Sequence, residues 1–152
     1  YPKQSEKFIR SLASKIKKKI KKIDIVLSPA MGGIIIGYEI GKLLGKETIF
    51  CERVNKKFTL RRGFSIKKNS RVLIVEDVIT TGKSSLECVK LIKKFKAKLI
   101  GFACLIDRSK NEKIKDKIIS QVELKIPTYN KKDLPDQLKK IPITKPGSRF
   151  LR

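Results

Sequence analysis

Apolar residues along the chain follow two spacings, and the switches between them mark out the predicted elements. Phe8, Leu12, Ile16, Ile20 and Ile23 recur at helical spacing, while Lys15 to Lys22 fills the other faces. This predicts an amphipathic helix over Gln4 to Lys22 that docks its stripe and solvates its lysines. Ile23 to Leu27, with Asp24 near its start, is a short apolar strand that runs through Ser28-Pro29-Ala30-Met31-Gly32-Gly33 into a helix-length segment, Ile34 to Leu44. Thr48 to Cys51 reads as a short strand, followed by a basic loop or hairpin to about Phe64. Val72 to Val75 predicts a buried strand, and Leu86, Val89, Ile92 and Phe95 predict a helix over Ser84 to Phe95. A strand over Lys98 to Ile106, a last strand over Gln121 to Ile126 and a short helix over Lys131 to Lys139 complete the series. Strands alternating with helices imply an α/β fold with a mainly parallel sheet, helices on both faces and ligands at the carboxyl ends of the strands. The 152 residues suffice for one domain, 1–152, with no internal repeat and no Pro/Gly-rich linker.

The densest chemistry lies in Arg71 to Ser85. Two adjacent carboxylates, Glu76 and Asp77, follow the apolar run, and then come Val78, Ile79, Thr80, Thr81, Gly82, Lys83, Ser84 and Ser85. A tight loop opening a helix aims backbone N–H groups and the positive helix end at one spot, which suits a phosphate. The adjacent carboxylates suit sugar hydroxyls or a hydrated cation. A phosphate site beside a diol site describes a phosphorylated ribose. Gly82-Lys83-Ser84 also matches half of an ATP-binding P-loop, but that pattern needs a glycine where Asp77 stands, and a carboxylate there would face the phosphates. A merely solvated polar turn is the plainer alternative, although two acids at the end of a buried strand are costly unless used or paired. The paired Gly32-Gly33 lets the backbone approach a ligand closely, a weak signal when taken alone.

The segment from Val72 to Ser84 resembles the ribose-phosphate motif of the type I phosphoribosyltransferases: an apolar run, two acids, two variable residues, Thr-Thr-Gly and a polar pair. By that resemblance Glu76 and Asp77 bind the ribose hydroxyls of phosphoribosyl pyrophosphate, and Val78, Ile79, Thr80, Thr81, Gly82, Lys83 and Ser84 form the loop around its ribose and 5-phosphate. Ala30, Met31, Gly32 and Gly33 take the place of the family's pyrophosphate loop, where backbone strain or a cis peptide is expected. Glu52-Arg53-Val54-Asn55-Lys56-Lys57-Phe58-Thr59-Leu60-Arg61-Arg62-Gly63-Phe64 carries five cations in thirteen residues and on charge alone reads as a solvated basic hairpin. Its wording resembles that of many orotate phosphoribosyltransferases, whose mobile catalytic loop lies here and closes over the neighbouring subunit's site. Arg53, Lys56 and Lys57 are therefore the candidates for pyrophosphate contacts, with Lys56, Lys57 and Asp77 the catalytic candidates.

Arg108 follows the Lys98–Ile106 strand in Asp107-Arg108-Ser109, at the edge where such sheets bind ligands; a structural ion pair is the alternative reading. The resemblance places Thr80 and Arg108 against orotate, whose carboxylate a guanidinium can meet in bidentate fashion. The close of the chain, Ile141 to Arg149, resembles one orotate phosphoribosyltransferase subgroup, so the likeness spans nearly the whole chain. It implies orotate phosphoribosyltransferase activity, with a transferase for another base or a non-catalytic phosphoribosyl pyrophosphate-binding regulator as the alternative, a Mg2+ cofactor held mainly through the substrate rather than by direct protein ligands, a homodimer and a cytoplasmic location. The chain starts at Tyr1, and the resemblance implies that the N-terminal portion of a hood over the pyrimidine is missing from it.

Composition then bounds the rest. The formal net charge is +24, and lysine supplies 30 of the 38 basic residues. Such a field steers anionic substrates and binds nucleic acid weakly as a side effect. It also matches compositional drift towards lysine and isoleucine, and no aromatic-interleaved basic motif predicts a specific nucleic-acid partner. No stretch has the ~18 uninterrupted apolar residues of a membrane span. Cys51, Cys88 and Cys104 sit in apolar contexts without metal-ligand spacing and read as reduced, buried thiols. There is no histidine, so any proton or charge role falls to lysine, arginine or solvent.

Overall fold

The computed structural model describes residues 1–109, 114, 118–127, 129 and 131–142. The tail after Pro142, which carries most of the C-terminal resemblance, lies outside the described residues. The elements are α1 (Pro2–Lys19), β1 (Ile25–Pro29), α2 (Gly32–Leu44), β2 (Glu47–Val54), β3 (Lys57–Thr59), β4 (Arg71–Ile79), α3 (Lys83–Lys94), β5 (Lys98–Asp107), β6 (Ile118–Glu123), a 3-10 turn (Lys131–Asp133) and a four-residue helix, α4 (Asp136–Lys139).

The six strands form one sheet in the order β3-β2-β1-β4-β5-β6. Every pairing is parallel except β2 with β3, which form a hairpin. After β1 the chain winds outward to β2 and β3, then returns to lay β4 against the other side of β1. The order therefore reverses at the β1/β4 junction, and in open α/β sheets ligands bind in the crevice beyond the carboxyl ends at such a reversal.

Period-two alternation sends β4 side chains to both faces. Val72 and Ile74 join Cys88, Leu91 and Ile92 under α3, whereas Leu73 and Val75 join Leu12, Ile16, Ile36 and Ile40 under α1 and α2. Buried on both sides, β1 and the first part of β4 read as near-continuous apolar runs, as central parallel strands do.

Several boundaries move from their sequence expectation. Strand β4 continues through Glu76, Asp77, Val78 and Ile79 because β5 keeps pairing with it as far as Ile79↔Asp107. The two acids thus lie in the strand, not in the loop after it. In α1 the buried face is Ile9, Leu12, Ala13 and Ile16, and Phe8 is 51% exposed. A strict four-residue spacing drifts around a 3.6-residue helix, so the stripe from Phe8 leaves the core side. The last strand sits three residues earlier than predicted, since Ile119 is buried while Val122, Leu124 and Ile126 are exposed. The helix expected over Lys131 to Lys139 divides at Pro135, which lacks an N–H and disfavours helical geometry at Leu134.

The three thiols are buried and free. Cys51 and Cys88 approach to 3.5 Å between β2 and α3. Their mutual hydrogen bond, with burial, raises the Cys88 thiol, and burial pushes Cys104 up to about 12. Cys88 and Cys104, so far from ionising, are packing groups rather than nucleophiles.

Asp24 and Arg71 clamp the starts of β1 and β4. The Arg71 backbone N–H and Nε donate to Asp24 Oδ2 at 2.7 and 2.8 Å, Nη2 donates to Oδ1 at 2.5 Å, and the Asp24 N–H returns a bond to the Arg71 carbonyl at 2.9 Å. The side-chain hydrogen bonds from Arg71 are the main cause that holds the Asp24 carboxyl far below the usual carboxylate range. A carboxyl depressed in the folded state stabilises above its unfolded value, about 4, and loses that contribution as the pH falls below it. Urea midpoints of Asp24→Asn and the parent protein are expected to differ most near pH 6 and to converge towards pH 2. A gap that stays constant over that range would refute the assignment.

Candidate active site

The loops after β1 and β4 meet over the sheet reversal and bound a cleft of about 680 Å³. Two helices begin at this cleft: α2 at Gly32 and α3 at Lys83, with Gly82 as the cap before it. Each helix start presents unpaired backbone N–H groups and a positive dipole end, so the cleft has two anion-attracting corners. Gly82 has φ 70°, a left-handed conformation that lets the chain turn from β4 into α3 without a side-chain clash. The Lys83 N–H donates to Thr81 Oγ1 at 3.3 Å. On the other side of the cleft, the peptide between Ala30 and Met31 is cis, a geometry the resemblance led us to expect in this loop, and the Ala30 N–H donates to the Cys51 carbonyl at 2.8 Å.

The two acids diverge because neighbours in a strand face opposite ways. Glu76 points to the α3 side, is buried, and accepts a short hydrogen bond from the buried Ser85 hydroxyl at the start of α3. Asp77 points to the α2 side and is exposed. A β-carbon at Gly32 would collide with the Asp77 carboxylate. Glycine at that position is what allows the β1 loop and the β4 acid to close on each other.

The basic segment supplies the third wall. Asn55 (φ 49°) and Lys56 (φ 64°) are the two central residues between β2 and β3, both left-handed, as a two-residue type I′ hairpin demands. Arg53 anchors the hairpin: Nη1 lies 2.6 Å from Glu87 Oε2 on α3 and donates to the Lys56 carbonyl at 3.0 Å, with the guanidinium 4.2 Å over the Phe58 ring. At its base Arg62 Nε lies 3.2 Å from Glu52 Oε1, and Phe50 meets Phe64 edge to face at 5.1 Å. The hairpin is thus tied to α3, with Lys56 on the cleft wall.

The cleft gathers Ala30, Met31, Gly32, Gly33, Arg53, Lys56, Glu76, Asp77, Val78, Ile79, Thr80, Thr81, Gly82, Lys83 and Ser84. Lys57 and Arg108 do not line it. Lys57 opens β3, opposite Val54. Arg108 lies beside a second cavity of about 370 Å³, with Ser109 and the stretch Glu123 to Pro127 after β6. Arg108 sits next to the end of β4, where its N–H donates to the Ile79 carbonyl at 2.8 Å. Among the described residues Arg108 Nε and Ser109 Oγ are buried without hydrogen-bond partners, a state that a ligand with acceptor oxygens would relieve. Sequence reasoning missed Ser85 and Glu87. Glu87 had a visible signal, as the sole acid of α3 facing a basic segment in need of a counter-charge. Among the described residues no group of three or more His, Cys, Asp or Glu side chains is arranged to hold a metal, and no helix is long and apolar enough to cross a membrane.

Removing the Ser85 hydroxyl takes a donor from a buried carboxylate. Ser85→Ala is expected to destabilise the fold by about 1–3 kcal/mol in urea unfolding, with Glu76→Gln in the same background recovering part of the loss. An unchanged midpoint for Ser85→Ala would show that the pair contributes nothing to folding.

A model of the phosphoribosyl transferase domain matches residues 2–133. The chain is 49% identical to the orotate phosphoribosyltransferase of Methylorubrum populi, over 99% of this chain and 78% of that protein. It is 42% identical to that of Maricaulis maris over the same shares. Among solved structures, adenine phosphoribosyltransferase from Thermoanaerobacter pseudethanolicus superposes with a TM-score of 0.70 at 19% identity, covering 80% of this chain and 81% of that one. Orotate phosphoribosyltransferase from Aeropyrum pernix gives 0.68 at 20% identity, covering 81% and 73%. With the family model matching residues 2–133 and these identities over nearly the whole chain, the chain belongs to the phosphoribosyltransferase family.

Proposed function

We propose that this chain transfers the 5-phosphoribosyl group of phosphoribosyl pyrophosphate to orotate, giving orotidine 5-monophosphate and pyrophosphate in pyrimidine nucleotide synthesis. The observation that carries this reading is the meeting of three walls at one cleft: the β1 loop, the β4 acids with the α3 start, and the Lys56 hairpin. The 40–49% identity to orotate enzymes supports the choice of base, as do Arg108 Nε and Ser109 Oγ in the second cavity, buried without a partner among the described residues.

In this reading Thr80 to Ser84 and the α3 start hold the 5-phosphate, Glu76 and Asp77 hold the ribose hydroxyls, and Ala30 to Gly33 with the α2 start hold pyrophosphate. The C1–O bond breaks with its electron pair leaving on pyrophosphate, and N1 of orotate bonds to C1. Positive charge grows on the ribose as this happens, and the exposed Asp77 carboxylate favours it. Lys56 and Arg53 offset the charge on the departing pyrophosphate, and Lys57 is the outer candidate. The N1 proton becomes acidic as N1 bonds to C1 and leaves to a pyrophosphate oxygen or water, a step that needs no histidine, and the chain has none. Mg2+ fits as a substrate-borne ion: Asp77 is the exposed carboxylate at the cleft, and the metal would supply charge neutralisation on pyrophosphate. The same reading makes the protein a cytoplasmic homodimer. Ile35 and Tyr38, 76 and 60% exposed on α2, offer an apolar patch that a second copy would cover.

Loss of orotate absorbance with phosphoribosyl pyrophosphate and Mg2+, run beside adenine, hypoxanthine and uracil, tests the assignment. Turnover of orotate alone is expected, and turnover of a different base would overturn the choice of substrate.

Asp77→Asn is expected to lower turnover by about 10²-fold or more. Gly32→Ala should do much the same with little change in melting temperature, because its β-carbon displaces Asp77 without disturbing the core. Near-normal turnover in both variants would remove Asp77 from the mechanism.

Lys56→Gly should leave the hairpin as stable or about 1 kcal/mol more stable, since glycine suits a left-handed position. It should also lower kcat/KM by on the order of 10²-fold, whereas Lys57→Ala stays within about three-fold of the parent. The opposite ranking would make Lys57 the catalytic lysine.

A further inference from the structure

In a parallel α/β sheet every strand starts at the pole opposite the ligand cleft, and the helices leading into those strands end there. In this protein Lys67 and Lys68 precede β4, while Lys93, Lys94, Lys96 and Lys98 close α3 and open β5; all six are exposed. The two segments are joined, with the Asn69 N–H donating to the Lys96 carbonyl at 2.9 Å and the Lys98 N–H to the Ser70 carbonyl at 2.8 Å. Lys21 and Lys22, also exposed, lie just before β1 across the Asp24–Arg71 pair.

Neither Ser65–Arg71 nor Cys88–Ile106 contains a single Asp or Glu. Asp24 is neutralised by Arg71, the exposed Glu47 that opens β2 stands beside the equally exposed Lys46, and none of the eight lysines forms an ion pair with a described residue. The α3 dipole accounts for Lys93 and Lys94 in its last turn, but not for the lysines before β4 and β1. Clustered like charges repel and destabilise the compact state unless an anion meets them.

We propose that this pole is a docking surface for the phosphate backbone of a double-stranded nucleic acid, read without regard to base sequence. Strands β1, β4 and β5 spread the lysines over ~10 Å at about 4.8 Å per strand. A duplex carries one charge per about 1.7 Å of axis, so the patch faces several phosphates at once. No exposed aromatic lies among these residues on which a base could stack, and Phe95 packs against the core, which favours a duplex over a single strand. None of the exposed large apolar residues belongs to these segments, so a membrane surface would find no side chain to insert. The cleft lies at the opposite ends of the same strands, so docking and catalysis are separable.

The test is fluorescence anisotropy with labelled RNA and DNA duplexes of about 20 base pairs, in two unrelated sequences, titrated from about 50 to 200 mM salt. One variant neutralises Lys67, Lys68, Lys94, Lys96 and Lys98 to Gln. A charge-matched control neutralises Lys3, Lys7, Lys132, Lys139 and Lys140 to Gln. The parent should bind both sequences alike, with affinity falling steeply as salt rises. The pole variant should lose about ten-fold or more in affinity, and its salt slope should drop by about 3 or more, while the control keeps both and both variants keep the parent's turnover. Comparing RNA with DNA identifies which duplex the surface prefers. Equal weakening of both variants would mean that net charge alone acts, and would overturn the proposal. Absence of duplex binding, or tighter binding to anionic phospholipid vesicles than to either duplex, would overturn it as well.

Discussion

Ile25, Val26 and Leu27 lie in register with Val72, Leu73 and Ile74, and this parallel pairing of β1 with β4 sets the position of everything chemical in the molecule. Because the two strands run side by side in one direction, the loops that leave them emerge next to each other, and the helices that follow both begin at the same crevice. The register then decides how the loops mesh. Asp77, five residues past the start of the paired stretch, reaches Gly32 only because the strands are aligned as they are; a slip of one residue would turn Glu76 to the α2 side and bury Asp77 against α3. The Asp24–Arg71 clamp pins that register at the far end of the strands. Cleft geometry and clamp are in this sense one structural unit, joined through six apolar residues divided between the two halves of the core.

The same parallel arrangement separates charge along the strand axis. Helix starts gather at the cleft, so partial positive charge is fixed there by the backbone itself, and few side-chain cations are needed: Lys56, Lys83 and Arg53. Helix ends gather at the opposite pole, where backbone carbonyls tolerate lysine. A chain of +24 can accommodate many cations at that pole at little cost to the cleft. The two basic regions consequently differ in kind. At the cleft, lysine and arginine are held by a hairpin and a carboxylate; at the pole they are solvated and repel one another.

Much of this was legible in the sequence because the signals were local. Val72 to Val75, the adjacent acids and Thr-Thr-Gly lie within fifteen residues, and each carries its own physical meaning. Fifteen of the seventeen candidate positions line the cleft, all but Lys57 and Arg108. What the sequence could not convey was mostly orientation. Glu76 and Asp77 look equivalent as letters, yet the pleat sends one into the core against Ser85 and the other to the cleft. Strand β4 reads as ending at Val75 because carboxylates seldom continue a buried strand; only its pairing with β5 keeps it extended to Ile79. Lys56 and Lys57 are adjacent in a basic run, and only the two-residue turn, with both residues left-handed, puts Lys56 on the cleft wall. In α1 the deciding factor was angle: Ile9 and Phe8 are neighbours in sequence, 100° apart on the helix, and one is core while the other is half in water.

Arg53 shows how the cleft balances firmness against capture of an anion. Its guanidinium is shared among Glu87, the Lys56 carbonyl and the face of Phe58, three partners on two elements. Without Glu87 the hairpin would keep its pairing with β2 and the packing of Phe58 on the core but lose its ion pair to α3, and a turn of two left-handed residues has little stability of its own. With Glu87, the charge that Arg53 presents to the cleft is already partly spent. Lys56 has no such partner carboxylate among the described residues, so its full charge faces the cleft while Arg53 holds it there. A carboxylate that weakens one cation thereby positions another. The arrangement gives the flexible lysine the electrostatic task and the planar, five-donor arginine the structural one, which is the division their side chains suit.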